Sequence, residues 1–377
     1  MTRLRPLVGA IAISFAGLFG ASCNLAYAQL DDAPSIPKEV LTSSSTLTTA
    51  QRQDLEIFAD YWLGVLNNGT QQERDVARKR LAAATTAGAA GTDFRTQYNH
   101  TLLTKIAQQL QSQNVPKDAD TEVQIKRKTQ QILFRINTMR VINRASGKNI
   151  LPVLQVGLND PNAGVRYTTA VAAAEMASRK AFIPEEQIGI LKQLEKALGK
   201  ETQSAALAVQ LKALNAMKIE QARAVLMNVL SERINVHNKD ATISYDPELA
   251  ALSDMYRKVI DDYANSRDGV FKQINDLASI SFRYMKLVTI QLEEQEDFTP
   301  EQIASRKSMV ERCDSVLRFA ATSLAEGEML PKEIASALTR LEWDFILIQI
   351  DQWERILKKG PFNMASKQLS VTATKQN

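Results

Sequence analysis

From residue 51 onward, apolar side chains recur at helical spacing. Leu55, Phe58, Trp62 and Val65 stand 3, 4 and 3 apart, which aligns them along one face of a helix. Phe94, Tyr98, Leu102, Ile106 and Leu110 form a second stripe, and Ile125, Ile132, Ile136 and Met139 a third. No stretch of useful length alternates apolar with polar at period two, so the pattern predicts an all-α fold. The prolines agree. Pro116, Pro152, Pro161, Pro184, Pro247, Pro300, Pro331 and Pro361 fall at the edges of periodic segments, where a missing N–H is tolerated.

Residues 246–360 predict an antiparallel four-helix bundle of long helices. Its seams are Leu249 to Tyr263, Val270 to Val288, Ile303 to Leu324, and Leu338, Leu341, Phe345 and Ile348. The connections between them are short, and short loops between long amphipathic helices imply antiparallel neighbours. Asp246-Pro247-Glu248 and Thr299-Pro300-Glu301-Gln302 supply caps, early prolines and early acids or a glutamine. The last helix carries a second apolar row: Trp343, Ile346, Ile350, Trp353 and Leu357. A helix apolar on two faces is buried centrally, or else it offers a partner or a second copy a docking face anchored by Trp343 and Trp353.

Residues 51–240 read as a helical array with an internal repeat. Leu151, Leu154 and Leu158 recur as Leu191, Leu194 and Leu198, an offset of 40, and Ala173 recurs as Ala213. Apolar Tyr167 and Val171 align with Leu207 and Leu211 at the same offset. Each unit is a short helix, a turn and a second helix. The stretch Ile150 to Met176 resembles a HEAT repeat, a family with an Asp in the inter-helix turn and a Val-Arg pair opening the second helix. Asp160, Val165 and Arg166 stand in those places. The next unit departs from the pattern, with Lys200 for the Asp and Ala205-Ala206 for Val-Arg. The resemblance implies an α-solenoid.

The N-terminal residues read as an address. Arg3 and Arg5 precede an apolar run from Leu7 to Phe19, and Ala26-Tyr27-Ala28 matches a small-x-small cleavage site, so 1–28 is expected to be a signal peptide cut after Ala28. Cleavage removes Cys23 and leaves Cys313, which allows no intramolecular disulfide, and an exported chain of this kind fits a bacterial periplasm or cell envelope. No later apolar stretch is long enough to span a bilayer, so no transmembrane helix is expected in the mature chain. The Ser/Thr-rich segment 29–50 is expected to be a flexible tether and 361–377 a tail.

Composition narrows the chemistry. The 377 residues include only two His and two Cys, which excludes most Cys/His metal sites, and no Walker-type, GxGxxG or HExxH string occurs. His100 is expected on a helix face and His237 in a loop. Cys313 lies in an apolar seam, as an inert core thiol does, and Glu293, Glu294, Glu296 and Asp297 read as a solvated acidic turn. Neither a metal nor a cofactor is implied, and no catalytic residue stands out.

The net charge of +4 conceals a polarity. Residues 29–245 hold 27 basic and 21 acidic side chains, whereas 246–360 hold 15 basic and 21 acidic. No Asp or Glu occurs from Val123 to Asn159, while Lys126, Arg127, Lys128, Arg135, Arg140, Arg144 and Lys148 do. This basic helix either docks against the acidic bundle or meets an anionic envelope lipid or polymer. Without aromatic interleaving it does not suit nucleic acid. The reading that fits best is an exported, non-enzymatic scaffold for protein–protein interaction in the bacterial cell envelope. The alternatives are a periplasmic enzyme acting on cell-wall polymer and a binder of anionic envelope components.

Overall fold

The computed structural model describes residues 33–43, 45–87, 92–112, 121–266, 269–294, 297–324 and 329–371. The segment read as a signal peptide, 1–28, lies outside the described residues, as do Glu296 and positions 372–377. Sixteen helices and no strand occur among the described residues. They are α1 (Lys38–Leu41), α2 (Thr49–Asn68), α3 (Gln71–Thr86), α4 (Thr92–Ser112), α5 (Glu122–Ile142), α6 (Ile150–Leu158), α7 (Ala163–Ser178) and α8 (Pro184–Leu198). Then follow α9 (Ser204–Ala216), α10 (Glu220–Lys239), α11 (Asp246–Asn265), α12 (Phe271–Glu294), α13 (Pro300–Leu324), α14 (Ala335–Arg340), α15 (Trp343–Lys358) and α16 (Ser366–Leu369). The fold is all-α. None of the described helices is long and apolar enough to cross a membrane.

Local sequence sets several of the starts. Thr48, Thr70 and Thr121 each accept an N–H from the residue three positions on, and Gln51, Glu73 and Gln124 return a side-chain acceptor to the threonine N–H. Each box satisfies two donors that a helix N-terminus leaves open.

The helices form two layers by a simple stepping rule. Each even-numbered helix from α2 to α10 packs on the next even one, and each odd-numbered helix from α3 to α11 on the next odd one. Rungs α2–α3, α4–α5, α6–α7, α8–α9 and α12–α13 join the layers. The rule runs on through 240–246, because α9 packs on α11 and α10 on α12, while α11, α12 and α13 also pack on one another. One contiguous apolar core fills the space between the layers.

Both ends of the stack are covered. Val40 and Leu47 are buried, Ile36 packs on the core, and the Trp62 indole N–H donates to the Pro34 carbonyl at 3.4 Å. The segment expected to be a tether is therefore packed over its described part, because its few apolar side chains find a surface on α2 and α3. At the other end, α14, α15 and α16 cover α12 and α13. Phe362, Met364 and Leu369 are buried there, so the expected tail is packed as far as position 371.

Other expectations shift. The helix expected as the fourth of a bundle is two pieces, broken at Leu341, whose left-handed backbone (φ 57°) ends α14 while the Glu342 N–H bonds the Ala337 carbonyl. Leu341 and Ile348 are exposed, and the buried face of α15 is instead the second row, Ile346, Ile350, Trp353 and Leu357. On α5 the buried face is Phe134, Thr138, Met139, Val141 and Ile142, while Ile125 lies exposed in a first turn whose described side chains are all exposed. Tyr167 is exposed where Leu207, its repeat counterpart, is buried.

Candidate functional site

Among the described residues, the turns within helix pairs (159–162, 199–203 and 240–245) line one edge of the stack, and those between pairs (143–149, 179–183 and 217–219) line the other. The first edge is held by ion pairs. Arg135 on α5 donates to Asp160 at 2.5 Å, both nearly sealed from solvent, and Asp160 also accepts the Asn162 N–H at 2.8 Å. Arg166 on α7 reaches the next turn, forking onto Glu201 at 2.7 and 2.8 Å, and donates back to the Asp160 and Pro161 carbonyls. Glu201 accepts the Gln203 N–H at 3.0 Å, as Asp160 accepts that of Asn162, and the Gln210 amide at 3.0 Å. Burial pushes the Glu201 carboxyl upward, but the Arg166 fork and the Gln203 N–H outweigh it and hold the group below its ordinary range.

The row continues into a buried cluster at α10 and α11. Arg233 donates to Glu248 at 2.7 Å, and His237 Nε2 lies 3.0 Å from the same oxygen. Burial raises the Glu248 carboxyl, but His237 and Arg233 outweigh it and leave it ionised below the ordinary range. A carboxylate only accepts, so Nε2 carries the proton, and Nδ1 has no partner. The ring stacks on Tyr245 at 3.9 Å, and Gln291 ties Tyr245 Oη to the His237 carbonyl. Arg306, also buried, lies over Tyr245 and Phe298 and donates to the Ala241 carbonyl. His237 is thus a core residue of α10 rather than a loop residue. The cluster has the groups of an acid–base site but presents no face to a substrate.

The opposite edge is basic and hollow. Arg144 and Lys148 lie between α5 and α6, Arg179 and Lys180 between α7 and α8, and Lys218 between α9 and α10. Arg179 ties two of these turns together by donating to the Asn143 and Arg144 carbonyls. A cavity of about 480 Å³ opens beside the Met217–Ile219 turn. Its apolar floor is Leu214, Leu226, Met255 and Val259, and its rim carries Lys218, Arg223 and Lys258 together with Glu220 and Asp262. Arg223 is engaged by Asp262 at 2.7 Å and by Gln273, whereas Lys258 donates to the Asn215 carbonyl and side-chain oxygen. Burial, then the neighbouring Arg223, pulls the Lys258 ammonium below its ordinary value. On the other side of the same turn lies a second cavity, about 250 Å³, with Lys180, Phe182 and Gln187 on its walls.

The sequence-predicted residues divide. Lys126, Arg127, Arg140 and Arg144 are exposed and Lys128 is half-buried, but Arg135 is committed to Asp160 and is no ligand for an outside anion. The partners of α5 are α2, α3, α4 and α7, so this helix does not lie on the acidic bundle. Trp353 is fully buried with its indole N–H on Asp314 at 3.1 Å, which makes it core, and Trp343 is half-buried. Cys313 is buried and its thiol pKa raised by that burial. No group of three or more His, Cys, Asp or Glu side chains suited to a metal ion occurs among the described residues. No protein-family model matches the chain, and comparison with curated proteins and with solved structures gives no match.

Proposed function

We propose that this chain is an exported, non-enzymatic helical-repeat scaffold that mediates protein–protein interaction in the bacterial cell envelope. The observation that carries this reading is the stepping of helix pairs in two layers, because such stacks present extended surfaces built from successive units. The HEAT-type reading draws support from Asp160 and Arg166, which link one helix pair to its neighbours. The buried carboxylates support a non-enzymatic role, since Asp160, Glu201 and Glu248 are each held by an arginine and Glu248 also by His237. Export rests on the sequence from Arg3 to Ala28.

A second reading, contact with an anionic lipid or polymer, is favoured by the start of α5. Val123 and Ile125 are exposed there beside exposed Lys126 and Arg127.

Fractionation and N-terminal sequencing test the address, and the expected product begins at Gln29 in the envelope fraction. Photocrosslinking in intact cells from exposed positions along the stack is expected to trap a discrete protein adduct. A chain retained in the cytoplasm overturns the reading, as does release of soluble fragments from cell-wall polymer by the purified protein.

A further inference from the structure

The two cavities beside the Met217–Ile219 turn belong to one surface. They share Met217, Lys218 and Ile219, and each adds a cation of its own, Lys180 in one and Lys258 in the other. Lys180 and Lys218 stand on successive turns between helix pairs, and Lys258, within α11, lines the larger cavity together with Lys218. All three are exposed, and none has a carboxylate within ion-pairing distance among the described residues. Several nearby acids are already engaged. Glu186 accepts the N–H groups of Asn149, Ile150 and Leu151 at the start of α6, and Asp262 holds Arg223; Glu185 is exposed, and exposed Glu220 lines the larger cavity, so Lys218, Arg223 and Lys258 there outnumber its two acids.

We propose that this edge docks an extended acidic peptide of a partner protein, its carboxylates meeting Lys180, Lys218 and Lys258 and its apolar side chains entering the two cavities. The inference rests on the scaffold reading and names the chemistry of the partner.

Three considerations select this occupant. The apolar floors, Phe182 in one cavity and Leu214, Leu226 and Met255 in the other, give a pure polyanion nothing to fill. Two separate hollows on either side of one turn suit an extended chain better than a single compact molecule. The scale also fits: helices pack roughly 10 Å apart, so the successive turns that carry Lys180 and Lys218 stand roughly 10 Å apart, with Lys258 on the wall of the larger cavity. That step corresponds to about three residues of extended peptide.

The test uses the full chain and a fluorescein-labelled peptide of alternating Glu and Leu, about twelve residues long, so that it overspans that step. Its counterparts carry Gln for every Glu or Ala for every Leu. Anisotropy is expected to show binding of the Glu/Leu peptide, with about tenfold weaker binding of each counterpart, the scale of three exposed ion pairs acting together. The triple variant Lys180→Glu, Lys218→Glu, Lys258→Glu should lose about tenfold in affinity while its helical circular dichroism and thermal midpoint stay unchanged. Lys126→Glu with Arg127→Glu on α5 should bind as the parent does. Should the triple variant disturb the fold, Lys218→Gln alone with the same peptides serves instead, and a loss of two- to fivefold is expected.

Equal binding of the Gln peptide, equal binding by the triple variant, or equally tight competition by polyphosphate overturns the proposal. The crosslinking experiment separates that failure from failure of the scaffold reading. An adduct that persists in the triple variant leaves a scaffold whose partner sits elsewhere, whereas absence of any protein adduct removes both.

Discussion

Arg166 and Glu201 face each other across two successive turns, two parallel N–H···O bonds of 2.7 and 2.8 Å joining helix pairs that share no covalent turn there. The Glu201 side chain is fully buried and that of Arg166 largely so, which makes the pair a tie between repeats rather than a surface ornament. Removing one member of a buried pair strands the other. Arg166→Ala is therefore expected to lower the unfolding free energy by about 3 kcal/mol. Urea unfolding followed by circular dichroism measures it, and a loss below about 1 kcal/mol contradicts the tie.

Acid acts on the same bonds. Glu201 and Glu248 both titrate below the ordinary carboxylate value of 4.5 in the folded chain. Their contribution is complete above that value and disappears as pH falls through the lower, folded one. The thermal midpoint should drop on acidification, and Glu201→Gln should lie below the parent at pH about 7 with the gap closing toward pH about 3. A gap that widens on acidification reverses the sign and refutes the assignment.

The basic helix separates into structural and surface cations. Arg135→Ala leaves Asp160 buried without its partner and is expected to cost about 3 kcal/mol or more. Arg140→Ala with Arg144→Ala, both at exposed positions, should stay within about 0.5 kcal/mol of the parent. Denaturant midpoints distinguish the two.

Trp353 and Trp343 make a second contrast on one helix. Trp353→Ala empties a fully buried site and deprives Asp314 of an N–H donor, and about 4 kcal/mol of destabilisation is expected. Trp343→Ala, at a half-buried position, should cost about 1 kcal/mol. Sedimentation should show neither variant changing the mass of the native species.

Two helical glycines are expected to respond oppositely to alanine. Gly64 on α2 has open space around a would-be Cβ, so Gly64→Ala should gain about 0.5–1 kcal/mol from helix propensity. At Gly157 on α6 a Cβ would meet the Thr169 hydroxyl on α7 at 2.2 Å and Met139 on α5 at 2.9 Å. Gly157→Ala should lose about 2 kcal/mol despite the same propensity gain. Thermal unfolding of the pair checks both signs.

The apolar periodicity made the long helices legible, since residues such as Phe94, Tyr98 and Leu102 are buried where their 3,4 spacing demands. The break at Leu341 was not legible, because no glycine or proline marks it and its backbone is fixed by packing around α14 and α15. Glu201 escaped because an offset of 40 from Asp160 lands on Lys200, one residue short, and a turn tolerates a slip that a helix face does not. The acid-free stretch correctly marked α5 as basic but gave no sign that Arg135 points inward, which is settled by Asp160, 25 residues away. Lys180, Lys218 and Lys258 form a group only once the fold sets them around two adjoining cavities, which their spacing in the chain does not show.

The two coverings at the ends of the stack differ from each other, one a strap running from Ala33 to Leu47 and the other a short-helix lid from Ile334 to Leu369. Among the described residues neither end is a bare helix pair, so a second copy stacking head to tail would first have to displace one of these coverings. Any lengthening of the stack in evolution has to proceed by duplication of an interior pair, such as α6–α7, which would add another rung and another basic turn while leaving both terminal coverings intact.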